Sequence, residues 1–157
     1  PPPIGVTSIQ ANTANEMYRI LKEVCINADV LIMAAAVSDW TPTRIRNDKI
    51  KKFQKTEYTI KTKRTLDILS NINYDNLFKV GFAAETKNLE ENAKQKLINK
   101  NCNIIVANDI TEKGAGFSSD TNKVTIIDNK GTTLQLGIMP KYEVANQIIN
   151  KIISMMT

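Results

Sequence analysis

The chain has 157 residues, 42% hydrophobic and 24% charged, a length and balance that bound it to about one folded domain and argue against a disordered tail. Histidine is absent, which excludes imidazole acid–base chemistry and histidine-ligated zinc within the chain. Lys and Arg number 21 against 16 Asp and Glu, a net +5 that by itself invites a nucleic-acid reading.

The distribution of charge argues against that reading. Nine of the basic residues (Arg44, Arg46, Lys49, Lys51, Lys52, Lys55, Lys61, Lys63, Arg64) share one segment with only Asp48 and Glu57, a local +7 that leaves the remainder at −2. Such a patch suits a small polyanion such as a nucleoside triphosphate, or it is a solvated lysine-rich loop. Aromatic residues are not interleaved with it beyond Phe53 and Tyr58, so no nucleic-acid partner is expected. No apolar run approaches the ~18–20 residues of a membrane-spanning helix, and Cys25 and Cys102 form no Cys-x-x-Cys pair. A cytoplasmic protein with no membrane partner is expected.

Pro1 to Pro3 read as a linker or loop remnant. Thr13 with Glu16 three residues on forms a capping box, and Met17, Ile20, Leu21 and Val24 follow at helical spacing. Val30 to Ala36 is a continuous apolar run that predicts a strand buried on both faces, as in a parallel sheet. The basic stretch from Thr41 to Lys55 has no period and predicts a mobile flap, placed at residues 41–56. Tyr58 to Lys61 alternates like a strand, and Leu66 to Ile72 predicts a short helix. Phe78 to Ala84 predicts a second buried strand, followed by a helix from about Leu89 to Asn99 and a strand from Asn103 to Ala107. Lys123–Ile127 and Thr133–Leu136 flank Asn129-Lys-Gly131, a hairpin signal. A C-terminal amphipathic helix has Pro140 in its first turn and Val144, Ile148, Ile149 and Ile152 on one face.

Alternation of strands and helices predicts an α/β fold with a mainly parallel sheet, in which ligands bind beyond the carboxyl ends of the strands. Three strand ends carry small or polar residues: Ala34-Ala-Ala-Val-Ser-Asp39, Gly81-Phe-Ala-Ala-Glu-Thr86 and Val106-Ala-Asn-Asp109. Asp39 either holds Mg²⁺ or a ribose hydroxyl, or caps a turn. A flap lysine within Lys49-Ile-Lys-Lys52 can close over phosphates. Phe82 either faces a base or fills the core, the core being commoner. Lys96 and Lys100 share a helix face and read as solvated pairs do. Asn108-Asp109 reads as a turn before a substrate contact. Neither Gly-x-x-x-x-Gly-Lys-[Ser/Thr] nor Gly-x-Gly-x-x-Gly occurs, and no Tyr-x-x-x-Lys follows Asp29-Val-Leu-Ile-Met-Ala-Ala to support a short-chain dehydrogenase.

In order, the chain holds Ala34-Ala-Ala-Val-Ser-Asp39-Trp, Lys49-Ile-Lys-Lys52, Leu66-Asp-Ile-Leu69, Val80-Gly-Phe-Ala-Ala-Glu-Thr86, Ala93-x-x-Lys96-x-x-x-Lys100, Ile105-Val-Ala-Asn-Asp109 and Gly116-Phe-x-Ser-Asp-x-Asn122. This ordered set resembles phosphopantothenoylcysteine synthetase, the ligase half of the bacterial bifunctional enzyme of coenzyme A biosynthesis, over essentially the whole chain. The resemblance implies a Rossmann-like three-layer fold, residues 1–157 forming one synthetase domain with a basic flap and a C-terminal β-hairpin. It implies CTP-dependent joining of 4′-phosphopantothenate to cysteine through an acyl-cytidylate, with Mg²⁺ as cofactor, in a homodimer. By motif, Met33, Ala34, Ala35, Asp39, Lys49, Leu66, Asp67, Ile68, Leu69, Phe82, Lys96 and Lys100 would line the nucleotide site. Lys49 and Asp39 would be catalytic, Asp39 also taking the metal. The family's first strand, its Gly-Pro-Thr segment and its Ser-Asn-x-Ser-Ser-Gly loop are not found here. Nor is the flavin-dependent decarboxylase half, so FMN is expected only there, in a parent chain fused to this one. Lys63-Arg-Thr-Leu also stands where the family has Lys-Asn-Pro before the aspartate. A nucleotide-binding fragment without catalysis is the alternative.

Overall fold

In the computed structural model, residues 2–44, 48–51, 57–85, 87–109 and 119–157 are described. Helix α1 (Ala14–Val24) runs through a 3-10 turn (Cys25–Asn27) into strand β1 (Val30–Met33), followed by β2 (Trp40–Pro42), β3 (Thr62–Arg64) and the one-turn helix α2 (Ile68–Asn71). Strand β4 (Phe78–Glu85), helix α3 (Leu89–Asn99) and strand β5 (Ile104–Asp109) form the central crossover. Then come β6 (Thr121–Asn122), β7 (Val124–Asp128), β8 (Thr133–Gln135), β9 (Met139–Pro140) and helix α4 (Lys141–Met156).

The main sheet has the order β1-β4-β5-β7-β8. Strands β1, β4 and β5 are parallel neighbours, whereas β7 is antiparallel to both β5 and β8. Four of the five strands therefore point the same way, the mainly parallel sheet of a Rossmann-like domain.

Side chains alternate between the faces of a strand, and the register extends that alternation across the sheet. One face carries Leu31, Gly81, Ala83, Ile105, Ala107 and Ile127. These pack under α3 through Ala93 and Leu97, and under α1 and α2 through Met17, Leu21, Ile68 and Ile72. The other face carries Val80, Ile104, Val106, Val124 and Ile126 beneath Val144, Ile148 and Ile152 of α4. Three helices on one face and one on the other make the three layers. Among the described residues, no helix is long and apolar enough to cross a membrane.

The outer boundaries depart from the sequence reading in instructive ways. Strand β1 ends at Met33, and Ile32 is 41% exposed on this first strand in the sheet order, although Val30 on the same face packs against the α4 cluster. The expected strand at Tyr58–Lys61 instead begins one residue after that span, at β3, whose antiparallel pairing with β2 puts Trp40 opposite Arg64. The stretch read as flap from Thr41 thus begins inside a strand. Ile149 is 44% exposed, since it lies about 100° round α4 from the Val144–Ile148–Ile152 stripe. The Thr13 hydroxyl caps α1 by accepting from Glu16 N, but the Glu16 carboxylate returns to Asn12 N rather than to Thr13. Pro140 is the capping residue just before α4. The hairpin of β7 and β8 forms as expected, with Gly131 at φ +89° in its turn. Both cysteines are buried and free.

Candidate functional site

The carboxyl ends of β1 and β4 open into the segments that the sequence singled out. Beyond β1, Ala34, Ala35 and Ala36 are exposed and Met33 is half-buried; with only methyl side chains, the three alanines leave the backbone open to a ligand. Asp39 carries an exposed carboxylate, and its backbone carbonyl accepts from Thr65 N at 2.9 Å. That bond brings Asp39 beside Leu66 and Asp67, 26 residues or more further along the chain. Ser38 Oγ donates to Trp40 O at 2.9 Å and sets the turn into β2.

Asp67 is the N-cap of α2. Its Oδ1 accepts from Ser70 N at 3.2 Å and its Oδ2 accepts from Lys100 Nζ. Burial pushes this carboxyl up, but the Lys100 and Ser70 hydrogen bonds outweigh it and hold it below the usual carboxylate range. Lys96 is one turn earlier on α3 and reaches Glu85 Oε1 at 2.6 Å, while Asn92 Nδ2 donates to Glu85 Oε2 at 2.9 Å. Glu85 ends β4, and burial again raises its carboxyl while Lys96 and Asn92 lower it further, for a net downward shift. Lys96 of α3 and Lys100 at its C-terminal cap are each matched to a carboxylate on a neighbouring element. They are not simple solvated residues.

Two further residues of β4 hold this arrangement together. Lys79 is 2% exposed, and its ammonium donates to Leu69 O, Ile72 O, Asn73 Oδ1 and Lys100 O at 2.7–3.1 Å. Burial draws Lys79 down from the usual lysine range, with Cys102 and Asp67 acting weakly the other way. The cage is built for a three-proton ammonium, and it ties the end of α2 to the end of α3. Gly81 lies between Lys79 and Ala83 on the same face. A Cβ there would stand 2.8 Å from both Leu69 Cδ2 and Ile105 Cδ1, so the missing side chain is what lets α2 seat on the sheet. Cys102, against Lys79, has its thiol pushed up to about 11 by burial.

The structure therefore gathers Met33, the alanines and Asp39 at one strand end. It joins Leu66–Leu69 to Lys100, and Lys96 to Glu85. Phe82 is elsewhere: alternation puts it on the α4 face of β4, 39% exposed, opposite the side on which Leu69 and Lys96 lie. Lys49 and Lys51 are exposed between β2 and β3, whereas Lys52 and the rest of 52–56, with 45–47, lie outside the described residues. The same holds for Thr86 and for Gly116 to Ser118 of the Gly-Phe-x-Ser-Asp-x-Asn motif. Sequence reasoning gave no role to Glu85, Lys79 or Gly81. The signal for Lys79 was there, as a lone charge in the apolar run Phe78–Ala84.

Among the described residues no cluster of three or more His, Cys, Asp or Glu could cage a metal ion. That fits Mg²⁺ all the same, since Mg²⁺ commonly takes one or two carboxylates and completes its shell with phosphate oxygens and water. Asp39 is an exposed carboxylate just beyond the alanines that follow β1.

Parallel strands ending in small-residue turns, with helices on both faces, define a Rossmann-like α/β domain, a class in which ligands ordinarily bind beyond the carboxyl ends of the strands. The chain belongs to the family described as DNA/pantothenate metabolism flavoprotein C-terminal domain, whose model matches residues 1–156. It is 40% identical over 146 residues to the coenzyme A biosynthesis bifunctional protein CoaBC of Bacillus subtilis, covering 92% of this chain and 36% of that protein. Against the CoaBC of Vibrio parahaemolyticus it is 36% identical over 158 residues, with 98% and 39% covered. A crystal structure of the C-terminal domain of a coenzyme A biosynthesis bifunctional protein CoaBC superposes with a TM-score of 0.80 at 35% identity, over 99% of this chain and 69% of that one. The chain thus spans well under half the length of these curated relatives.

Proposed function

We propose that this chain is the phosphopantothenate–cysteine ligase part of a cytoplasmic enzyme of coenzyme A biosynthesis, using CTP and Mg²⁺ and working as a homodimer. Its full-length parent carries a fused decarboxylase, and FMN belongs to that half. The observation that carries the reading is the state of Lys96 and of Lys100, the C-cap of α3. Lys96 and Lys100 are already neutralised by Glu85 and Asp67, so they suit the uncharged part of a nucleotide, donating their remaining protons to carbonyl or ring-nitrogen acceptors. The charge of a triphosphate then falls to the basic segment between β2 and β3, where Lys49 and Lys51 are exposed.

In the first step a carboxylate oxygen of 4′-phosphopantothenate attacks the α-phosphorus of CTP. The bond to the bridging oxygen breaks, and pyrophosphate leaves with the electron pair. In the second step the amine of cysteine attacks the acyl carbon of the acyl-cytidylate, loses a proton and expels CMP, forming the amide. The open backbone at Ala34 and Ala35 and the Leu66–Leu69 turn hold the nucleoside, while Phe82 borders it from the other face of β4. Asp39 would hold the metal, which would screen charge on the triphosphate. Lys49 on the flap meets the charge that develops on the α-phosphate and the departing pyrophosphate.

Thermal melting of the full-length protein with Mg²⁺ and each of CTP, ATP, UTP and GTP tests the nucleotide assignment. Ligand binding to the native state adds RT ln(1 + [L]/Kd), about 2.7 kcal/mol at a hundredfold excess over Kd. CTP is expected to give the largest shift. Equal shifts for all four, or none, would remove the basis for base recognition.

A further inference from the structure

Helix α3 carries two ion pairs of different kinds. Lys94 lies 4.0 Å from Glu90 one turn earlier, both side chains about half exposed, the ordinary solvated pair of a helix surface. Lys96 has no carboxylate at the helical spacings, since Asn92 and Ala93 stand four and three residues before it and Asn99 and Lys100 follow at three and four. Its partner comes instead from the end of β4, where Glu85 Oε1 accepts from Lys96 Nζ at 2.6 Å.

This second pair is asymmetric. The Glu85 side chain is 12% exposed against 42% for Lys96, so the carboxylate is the enclosed end and the ammonium the open one. Glu85 Oε2 accepts from Asn92 Nδ2 at 2.9 Å, and the same amide donates to Lys87 O at 3.0 Å. Both carboxylate oxygens therefore have donors, and the turn between β4 and α3 is braced around them. The bridge adds little to the seating of α3, because Ala93 and Leu97 already bury the helix against Ala83, Ile105 and Ala107. What it fixes is direction. A free lysine carries its charge on a long flexible stem. With one proton held by Glu85, the Lys96 ammonium keeps two for a ligand, and keeps them at the carboxyl end of β4.

We propose that Glu85 is a positioning residue for the nucleotide base, offsetting the charge of Lys96 and aiming its remaining ammonium protons at neutral ring acceptors. The inference rests on the ligase reading, and adds to it a residue that touches no substrate and acts only through Lys96. An ammonium has donors and no acceptor, which suits the carbonyl oxygen and unprotonated ring nitrogen of cytosine. Freed from Glu85, the same lysine would be drawn to the phosphates as a mobile cation, and the base would lose its fixed donor.

The test is steady-state pyrophosphate release by the full-length protein with 4′-phosphopantothenate, cysteine and Mg²⁺, at varied CTP. Unaltered protein, Glu85→Gln, Lys96→Ala and the double variant are compared, with a melting temperature for each. Glu85→Gln keeps the size of the side chain and an acceptor oxygen, and removes the charge. Losing the fixed donor removes binding shared by ground and transition states, so KM for CTP is expected to rise about 10-fold with kcat within about 2-fold. Lys96→Ala is expected to do the same, and in that background Glu85→Gln is expected to add less than about 2-fold to KM. That missing increment is the signature of action through Lys96. A KM within about 2-fold of the unaltered value in Glu85→Gln would overturn the inference and leave the ligase reading intact. Losses that multiply in the double variant, or a lower kcat at unchanged KM with a lower melting temperature, would make Glu85 a structural residue and likewise overturn it. No CTP-dependent pyrophosphate release from the unaltered protein would overturn the ligase reading and this inference with it.

Discussion

Lys79 illustrates how a single buried charge can shape a site it does not enter. Its ammonium has four oxygen acceptors and no carboxylate in contact, three of the four being backbone carbonyls at the ends of α2 and α3. Replacing it with the apolar, similarly long methionine would leave those acceptors without a donor in a closed space. Each unmet buried group costs on the order of 1–3 kcal/mol, with part recovered by water entering. Lys79→Met is therefore expected to lower unfolding stability by at least about 2 kcal/mol in urea titrations. A loss within experimental error would show that the carbonyls rehydrate freely and that the cage is not a clasp. Asp128 plays a comparable part on the other face. It is 3% exposed, its Oδ1 accepts from Lys130 N and Thr132 N, and its Oδ2 meets Lys151 Nζ of α4 at 2.6 Å. Burial raises that carboxyl, the lysine and amide bonds lower it more, and the net shift is downward.

At the scale of elements, β4 is the organising strand. Along one of its faces Lys79 clasps the ends of α2 and α3, Gly81 makes room for Leu69, Ala83 lets α3 lie close, and Glu85 holds Lys96. Gly81→Val tests whether that seating matters. Its Cβ would enter at 2.8 Å from two side-chain ends, and its branched methyls would push Leu69 and α2 outward. Overpacking of this kind costs about 1–3 kcal/mol, and CTP stabilisation is expected to fall with it, because Leu66–Leu69 move as a unit with α2. A Gly81→Val protein that melts and binds as before would mean that α2 seats independently of the strand. The long elements were legible from periodicity alone: α3, β4, α4 and the hairpin all have strong apolar repeats. The short ones were not. Trp40–Pro42 and Thr62–Arg64 are three residues each, and β3, Thr-Lys-Arg, is exposed throughout, so its pairing with β2 leaves no alternation to read. The exposure of Ile32 escaped notice for a related reason, because a run of apolar residues does not say which strands will flank it.

For the whole molecule, the candidate site was legible as a set of motifs at strand ends but not as a geometry. Asp39, Leu66 and Asp67 come together through one backbone bond between Asp39 and Thr65, and nothing in the sequence announces that closure. The two faces of β4 divide the set, with Lys96, Lys100 and Leu69 on one and Phe82 on the other, a division that follows from register and is invisible in spacing. The carboxylates that neutralise Lys96 and Lys100 lie 11 and 33 residues away from them. The proposed function stands on attack by a carboxylate on CTP, with Lys49 of the basic segment meeting the developing charge. Pyrophosphate release in a single turnover, measured in the full-length protein before cysteine is added, tests it most directly. Release is expected to require 4′-phosphopantothenate, and Lys49→Ala is expected to slow it by about 10²–10³-fold while CTP affinity changes only a few-fold. Release that ignores 4′-phosphopantothenate, or CTP binding with no pyrophosphate released at all, would contradict the claim.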